Sequence, residues 1–198
     1  MTTVVTSRGP APKGRILDAA DVLFYDRGIR DVSIEDVVVL AGTTRMTLYR
    51  HFPSKDELVL AHLRRRAEHE RAVVAGVVDV AARERRNPLL LLAARLRDDV
   101  AAPGFRGCPF LNAAAEYRDP EHPVRRLVAA HRAWYRTRLV GLVAETGAHD
   151  PEGTADRIVL LRDGAMAGGA LGGGAPGGAS SPAGALPPAV AAVLGVRS

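Results

Sequence analysis

The sequence predicts an all-α fold, in which an N-terminal three-helix domain containing a helix-turn-helix precedes a larger C-terminal helical domain. Apolar residues recur at intervals of three and four, which is the period of helices that bury one face. Ser, Gly and Pro stand where helices begin and end, and no segment alternates apolar and polar residues as a strand does. With 198 residues, 47% of them hydrophobic, the chain is long enough to bury a core.

The first helix is predicted to follow a flexible arm formed by residues 1–12, in which Gly9 and two prolines break regular structure. It runs from about Lys13 to Arg27 and ends at Gly28, a residue typical of helix C-termini. Its members at helical spacing form one apolar stripe: Ile16, Leu17, Ala20, Leu23 and Phe24.

The second and third helices are short and are separated by a glycine. Ser33, with a carboxylate three residues later, predicts the start of the second helix, and Gly42 ends it. The third helix is predicted over residues 44–51, with Leu48 and Phe52 one turn apart on its buried side. Three helices of about 14, 8 and 7 residues with a glycine turn match the helix-turn-helix plan.

The rest of the chain is also predicted to be helical. A fourth helix begins after Pro53-Ser54 and runs to about Ala82, and further helices follow over 88–102, 110–118, 122–146 and 152–171. From Gly168 to Pro188 the chain is rich in Gly, Ala and Pro, which predicts a flexible tail with room for a short last helix over 188–194. The predicted domains are therefore 13–60, 61–171 and a tail over 172–198.

The net charge of +5 and the pI of about 10.0 favour an anionic partner, but weakly. Residues 1–55 hold 8 Lys and Arg against 6 Asp and Glu, so the charge is not concentrated in the helix-turn-helix. A GC-rich genome would give the same excess of Arg, Ala and Gly without any function. Bulk charge alone therefore does not identify the partner.

The compartment is predicted from what the sequence lacks. A single cysteine, Cys108, excludes an internal disulfide and fits a reducing environment. The N-terminus has no apolar run of signal-peptide length, and no stretch of about 18 apolar residues would span a membrane. We expect a cytoplasmic protein that does not enter the membrane.

The outer face of the third helix carries the donors that reading double-stranded DNA requires. Arg45 can form two parallel hydrogen bonds to guanine, and Thr47 can contact a thymine methyl or a phosphate. Tyr49 and His51 suit phosphate oxygens, and Lys55 stands at a helix N-terminus that favours an anion. The predicted DNA contacts are Ser33, Thr43, Thr44, Arg45, Met46, Thr47, Tyr49, Arg50, His51 and Lys55.

Simpler interpretations of these residues stay open. The helix pair could be an αα-hairpin without any role on DNA, Arg50 could be merely solvated, and His51 could only close its helix. The run of arginines over 64–66 is typical of a solvated helix face, with a DNA contact as the alternative.

No catalytic, metal or cofactor site is predicted. The sequence lacks a Ser-His-Asp arrangement, a paired-carboxylate arrangement and a phosphate-binding glycine loop. His122, His131 and His149 do not share a metal-ligand spacing. A DNA-binding regulator is therefore favoured over two other classes, a helical enzyme and a structural DNA protein without sequence preference.

The run GTTRMTLYRHFPSK, residues 42–55, closely resembles the signature of the tetracycline-repressor (TetR) family, and RILDAADVLFYDRG and VSIEDVVVLAG are similar to its first two helices. Residues 104–124 resemble a loop-helix element in one branch of that family, and Met46 departs from the small residue often found at its position. The resemblance implies a homodimer on a palindromic operator and a ligand pocket among the C-terminal helices. It also implies a repressor that a small apolar molecule releases from DNA.

The ligand pocket and the dimer interface are predicted in the C-terminal helices. Asn112 and Glu116, one turn apart, could orient a ligand, or they could form local helix-loop hydrogen bonds. Cys108 is either a redox switch or a small buried residue. The candidate ligand contacts are Phe110, Asn112, Glu116, His131, Trp134 and Tyr135.

The homodimer is predicted to form through helices 122–146 and 152–171, with an intramolecular core as the alternative use of the same residues. Their apolar and small residues fall at near-helical spacing: Leu127, Ala130, Trp134, Leu139, Leu142, Ile158, Leu161, Ala165, Gly168 and Gly169. The function that combines these predictions is a ligand-responsive transcriptional regulator.

Overall fold

The computed structural model describes residues 11–172 and 181–196, which form nine α-helices and no strand. The prediction of an all-α fold is confirmed. Residues 1–10 of the expected arm and residues 173–180 and 197–198 of the expected tail lie outside the described residues. The helices are α1 (Pro12–Arg27), α2 (Ile34–Ala41), α3 (Arg45–His51), α4 (Lys55–Glu84), α5 (Pro88–Ala101), α6 (Pro109–Glu116), α7 (Pro123–Ala144), α8 (Pro151–Ala170) and α9 (Pro182–Leu194).

The chain divides into two compact units, Met1–Arg65 and Arg66–Ser198. Arg65 is the last residue of the first unit and contacts α1. Its guanidinium donates to Asp18 Oδ1 at 2.6 Å, to Asp21 Oδ2 at 3.1 Å and to the carbonyl of Leu17 at 3.0 Å. Arg65 therefore fastens the beginning of α4 to α1, which is a structural role.

The core of the first unit forms where α1, α2, α3 and the start of α4 meet. Ile16 on α1, Val37 on α2 and Leu48 on α3 are fully buried. The ring of Phe24 packs edge-on against His62, at 5.7 Å between ring centres, and His62 also bonds to Asp21. The apolar stripes read from the sequence thus meet each other in one small core.

The core of the second unit is built by α5, α7, α8 and α9. Leu89, Leu142 and Val190, from three of these helices, are at most 2% exposed. None of the described helices is both long enough and apolar enough to cross a membrane.

The last helix is longer than the sequence predicted. The prediction was a flexible stretch to Pro188 with a short helix after it, but α9 begins at Pro182. The hydroxyl of Ser181 accepts from the amide of Gly184 at 3.0 Å and caps this helix. Leu186 and Val190, one turn apart, are buried in the core, and burying two such side chains offsets the cost of the prolines within the helix.

The residues predicted to join two protomers are largely used inside one protomer. Leu139, Leu142, Ile158 and Ala165 belong to the core of the second unit. The small residues of α8 are also needed for close packing within one protomer. A Cβ at Gly168 would lie 2.7 Å from Cγ of Pro182. The intramolecular alternative is therefore the correct one for these side chains.

Gly169 provides a test of this close packing. A Cβ added there would stand 2.2 Å from Cγ1 of Val100 and 3.2 Å from the ring of Phe105, so Gly169→Ala overpacks the core. We expect Gly169→Ala to lower the free energy of unfolding by about 1–3 kcal/mol, measured by urea denaturation. Gly76→Ala on α4, with nothing within 4 Å, is the matched control and should stabilise by about 1 kcal/mol. Equal stability of the two variants would contradict the packing described here.

Candidate nucleic-acid interface and effector pocket

The supporting helix α2 is fixed at both ends by local interactions. Ser33 and Asp36 form a reciprocal capping box, with Ser33 N donating to Asp36 Oδ2 at 2.8 Å and Asp36 N donating to Ser33 Oγ at 3.1 Å. These bonds from the Ser33 backbone and hydroxyl hold the pKa of Asp36 below its usual value. At the other end, the Nε of Arg15 donates to the carbonyl of Ala41 at 3.2 Å.

The turn between α2 and α3 depends on Gly42. Its φ of 57° and ψ of 49° lie in the left-handed region, which a side chain disfavours. Its amide bonds back to the carbonyls of Val38 and Val39, so α2 ends there and the chain turns at once into α3. The turn predicted from sequence is thus present in the structure.

The short helix α3 is held from its N-terminus and from its inner face. The hydroxyl oxygen of Thr44 accepts from Thr47 N at 3.2 Å, and the two threonine hydroxyls are 3.0 Å apart. Leu48 is fully buried and Phe52 is 4% exposed. The opposite face is therefore presented in one fixed orientation.

The outer face of α3 carries Arg45, Met46, Tyr49 and Arg50, all exposed. Met46 is 83% exposed and has no part in the core. Arg45 Nη1 lies 3.2 Å from Glu35 Oε1, and its guanidinium carbon lies 5.8 Å from the centre of the Tyr49 ring. Tyr49, first, and Glu35 hold the pKa of Arg45 above its usual value. Exposed ion pairs of this kind are weak, so Arg45 can exchange its partner at little cost.

The remaining predicted contacts lie at the edges of α3 or on its neighbours. Thr43 and His51 are half-buried, and Ser33 is exposed at the start of α2. Lys55 is the first residue of α4, and its Nζ is 3.4 Å from the carbonyl of Arg30. Sequence reasoning missed Glu35 as the partner of Arg45. The sequence also did not identify Val39, which is 79% exposed, as an outward-facing residue of α2. Their spacing of four on α2 was the available indication that both face outward.

The second unit contains a narrow pocket between α6, α7 and α8, lined by Cys108, Phe110, His131, Arg132, Tyr135, Val159 and Arg162. It therefore includes three of the six candidate ligand residues: Phe110, His131 and Tyr135. Cys108 is 3% exposed and lines this pocket as a small side chain. Glu70, on α4, binds both His131 and Arg162, and neither Glu70 nor Arg162 was singled out from the sequence.

The other three candidate ligand residues do not line this pocket. Asn112 is exposed, and its Nδ2 donates to the carbonyl of Arg106 at 2.9 Å, as the helix-loop alternative predicts. Glu116 is half-buried at the last position of α6. Trp134 is also half-buried, with its ring centre 5.5 Å from that of His131 and 5.1 Å from the guanidinium carbon of Arg71.

Comparison with known proteins decides the family. The family model "Bacterial regulatory proteins, tetR family" matches residues 16–62, which include the whole of α2 and α3. The crystal structure of SCO4454, a TetR-family transcriptional regulator from Streptomyces coelicolor, is 38% identical with a TM-score of 0.83, and the match covers 92% of this chain and 94% of that one. The chain belongs to the TetR family. This confirms the resemblance found in the sequence.

Other TetR-family relatives match this chain over different lengths. A TetR-family structure from Streptomyces avermitilis is 28% identical, with a TM-score of 0.76, over 95% of this chain and 100% of that one. The transcriptional regulator TtgR of Pseudomonas putida is 43% identical over 51 residues, 26% of this chain and 24% of TtgR. EthR of Mycobacterium tuberculosis is 36% identical over 78 residues, 33% of this chain and 36% of EthR. The chain thus spans only about a quarter to a third of these curated relatives.

Membership of the TetR family fixes the class of function. This is a transcriptional regulator with a DNA-binding helix-turn-helix, and the enzyme alternative is wrong. TetR-family regulators bind DNA and small-molecule effectors and function as dimers.

Gly42 allows a test of the turn that positions α3. Gly42→Ala places a side chain at a left-handed φ without any clash, since nothing lies within 4 Å, so backbone strain is the whole effect. We expect a loss of about 1 kcal/mol of unfolding free energy and weaker DNA binding. Gly42→Asn, which tolerates this conformation better, should lose less of both. An unchanged melting temperature for Gly42→Ala would contradict a turn that depends on glycine.

Proposed function

We propose that this TetR-family regulator is a repressor that binds a palindromic operator as a homodimer and is released by a small, largely apolar effector. The observation that carries the proposal is the seven-residue helix α3, anchored by buried Leu48, with its polar face exposed. The major groove is wide enough for such a helix. We further propose that the protein acts in the cytoplasm, where its DNA would be.

The residues of the interface are proposed to divide between bases and backbone. Arg45 would leave Glu35 and form a bidentate hydrogen bond to a guanine. Thr47 and Met46 would contact a thymine methyl or a sugar. The other contacts would hold phosphates and the docking angle: Ser33, Thr43, Thr44, Tyr49, Arg50, His51 and Lys55. The proposed DNA-binding domain is residues 13–60, and the proposed ligand-binding and dimerisation domain follows it.

Release from DNA is proposed to be a shift between two conformations. The effector would bind better to the conformation whose two reading helices are wrongly spaced for successive major grooves, about 34 Å apart. A coupling of about 1–3 kcal/mol would weaken DNA binding by the corresponding factor. The boundary between the two compact units falls within α4, so this continuous helix is the proposed route of the coupling.

The test of DNA recognition is selection of bound duplexes from a random pool, followed by variants. We expect a palindromic motif, and we expect Arg45→Ala to relax preference at one position per half-site at a cost of about 1–3 kcal/mol. Tyr49→Phe should instead weaken binding evenly across sequences, because it removes a phosphate contact. Exposed Arg83, outside the proposed DNA-binding domain, gives the matched control Arg83→Ala.

Two outcomes would contradict the proposal. Recovery of no motif, with equal affinity and salt dependence on random and selected duplexes, would favour a DNA protein without sequence preference. A change in base preference from Tyr49→Phe alone would contradict its role on the backbone.

The homodimer is proposed to form through the outward face of α8. Leu160 is 72% exposed and Leu171 is 86% exposed, with the exposed small residues Gly164 and Ala167 between them at helical spacing. An exposed apolar surface that continues along one face of a helix is typical of protein–protein interfaces. This face differs from the residues of α7 and α8 that the sequence predicts for the interface, several of which are buried in the core.

The prediction for this face uses Leu160→Asp. A charge in an apolar interface leaves an unpaired buried carboxylate, so we expect a shift from dimer to monomer in analytical ultracentrifugation with the fold retained. Val22→Asp is the matched control, since Val22 is also an exposed aliphatic residue, at 61%. A Leu160→Asp protein that sediments as wild type would rule out this interface.

A further inference from the structure

The core of the second unit contains a histidine with one unused ring nitrogen. His131 is 3% exposed, and its ring stacks on Phe110 with centres 3.8 Å apart and an angle of 16°. Its Nε2 lies 2.9 Å from Glu70 Oε2, while its Nδ1 is buried and has no hydrogen-bond partner. A buried polar atom without a partner is destabilising and rare in folded proteins, so this nitrogen calls for an explanation.

The contact with Glu70 indicates the role of each nitrogen in the ring of His131. Burial would raise the pKa of Glu70, but the hydrogen bond from His131 and the charge of Arg162 outweigh it and hold this pKa below its usual value. Glu70 is therefore a carboxylate, and the Nε2–H of His131 donates to it. In the neutral ring this leaves Nδ1 as an acceptor that lacks a donor.

The neighbouring charges are already balanced. Arg162 Nη2 lies 2.7 Å from Glu70 Oε1, and its Nη1 lies 3.0 Å from Asp163 Oδ1. Arg132 Nη2 lies 2.7 Å from Asp163 Oδ2. Two guanidinium groups thus face two carboxylates, so the cluster has no spare positive charge for an anionic ligand. What it lacks is a neutral donor opposite Nδ1.

A second narrow pocket adjoins the first, since Tyr135 and Arg162 belong to the walls of both. Its other lining residues are aliphatic: Leu89, Leu92, Ala93, Leu96, Leu139, Ile158, Leu186 and Val190. The guanidinium carbon of Arg162 lies 4.5 Å from the centre of the Tyr135 ring, and both residues line both spaces. Each space has room for about one water molecule, so a larger ligand must part this pair.

We propose that the effector is a neutral molecule with an apolar body and one hydroxyl group, and that the hydroxyl donates its hydrogen to Nδ1 of His131. The body occupies the aliphatic pocket, and the hydroxyl lies in the pocket beside Phe110. This inference rests on the proposed function, because it names the class of molecule that the regulator senses.

The experiment uses three probes with the same methyl-substituted ring on the full-length protein. They are p-cresol with a neutral hydroxyl, p-xylene with a methyl in its place, and p-toluate with a carboxylate. Trp134 is the only tryptophan of the chain, and its ring centre lies 5.5 Å from that of His131, so its fluorescence reports binding. We expect p-cresol to bind at least about tenfold tighter than either other probe, equivalent to one hydrogen bond.

His131→Gln tests the acceptor itself. The glutamine amide can still donate to Glu70, but it places no acceptor where Nδ1 stands. We expect this variant to lose the preference for p-cresol over p-xylene. His149→Gln, the same substitution at an exposed histidine, should retain it. If circular dichroism shows that His131→Gln does not fold, the three probes on the wild-type protein decide alone.

Three results would overturn the inference. They are equal affinity for p-cresol and p-xylene, tightest binding of p-toluate, or an unchanged preference in folded His131→Gln. A fluorescence-anisotropy titration of the selected duplex distinguishes failure of this inference from failure of the proposed function. If the protein binds DNA sequence-specifically but p-cresol does not weaken that binding, only the effector class is overturned. If the protein shows no sequence preference at all, the proposed function is overturned, whether or not p-cresol binds.

Discussion

The burial of Leu48 is the interaction on which the proposed DNA-reading surface depends. A helix of seven residues is too short to be stable by itself, since isolated helices below about 12–15 residues are marginal in water. The cap at Thr44 and the glycine turn at Gly42 set where α3 starts, but only packing of its inner face holds it. The exposed side chains of α3 therefore have a defined direction because Leu48 and Phe52 are buried in the core of the first unit.

The second unit differs from the first because its core includes charged side chains. His131 and Arg162 are buried, half-buried Glu70 bonds to both of them, and the aromatic rings of Phe110 and Tyr135 lie against His131 and Arg162. Breaking such a group by removing one member costs more than the group contributes. A core of this kind favours one arrangement of α4, α7 and α8, and it leaves polar chemistry where an effector would need it.

The parts of the fold predicted from sequence are those encoded by neighbouring residues. Ser33 with its carboxylate partner, Gly42 and Thr44 act within a few positions, so each could be assigned from spacing alone. The cluster around His131 could not, since Glu70 is 61 residues away from it and 92 residues away from Arg162. The glycine-rich composition also led to a wrong prediction where tertiary packing determines the role of the residues. Gly168 and Gly169 indicated a flexible tail or a dimer contact, yet Pro182 and Val100 of the same chain take up their space.

In the proposed complex, the pairing of Arg45 with Glu35 would bear on DNA specificity as well as on affinity. In the free protein both side chains of the pair are exposed, so the pair contributes little to stability. In the proposed complex, a bidentate bond from Arg45 to guanine would be worth about 1–3 kcal/mol of discrimination, which is enough to draw the guanidinium away. Glu35 would then remain close to a polyanion and would repel any phosphate that approaches it. In the proposed complex, a site without guanine would lose the Arg45 bond and keep this repulsion, so Glu35 would increase the penalty for the wrong base.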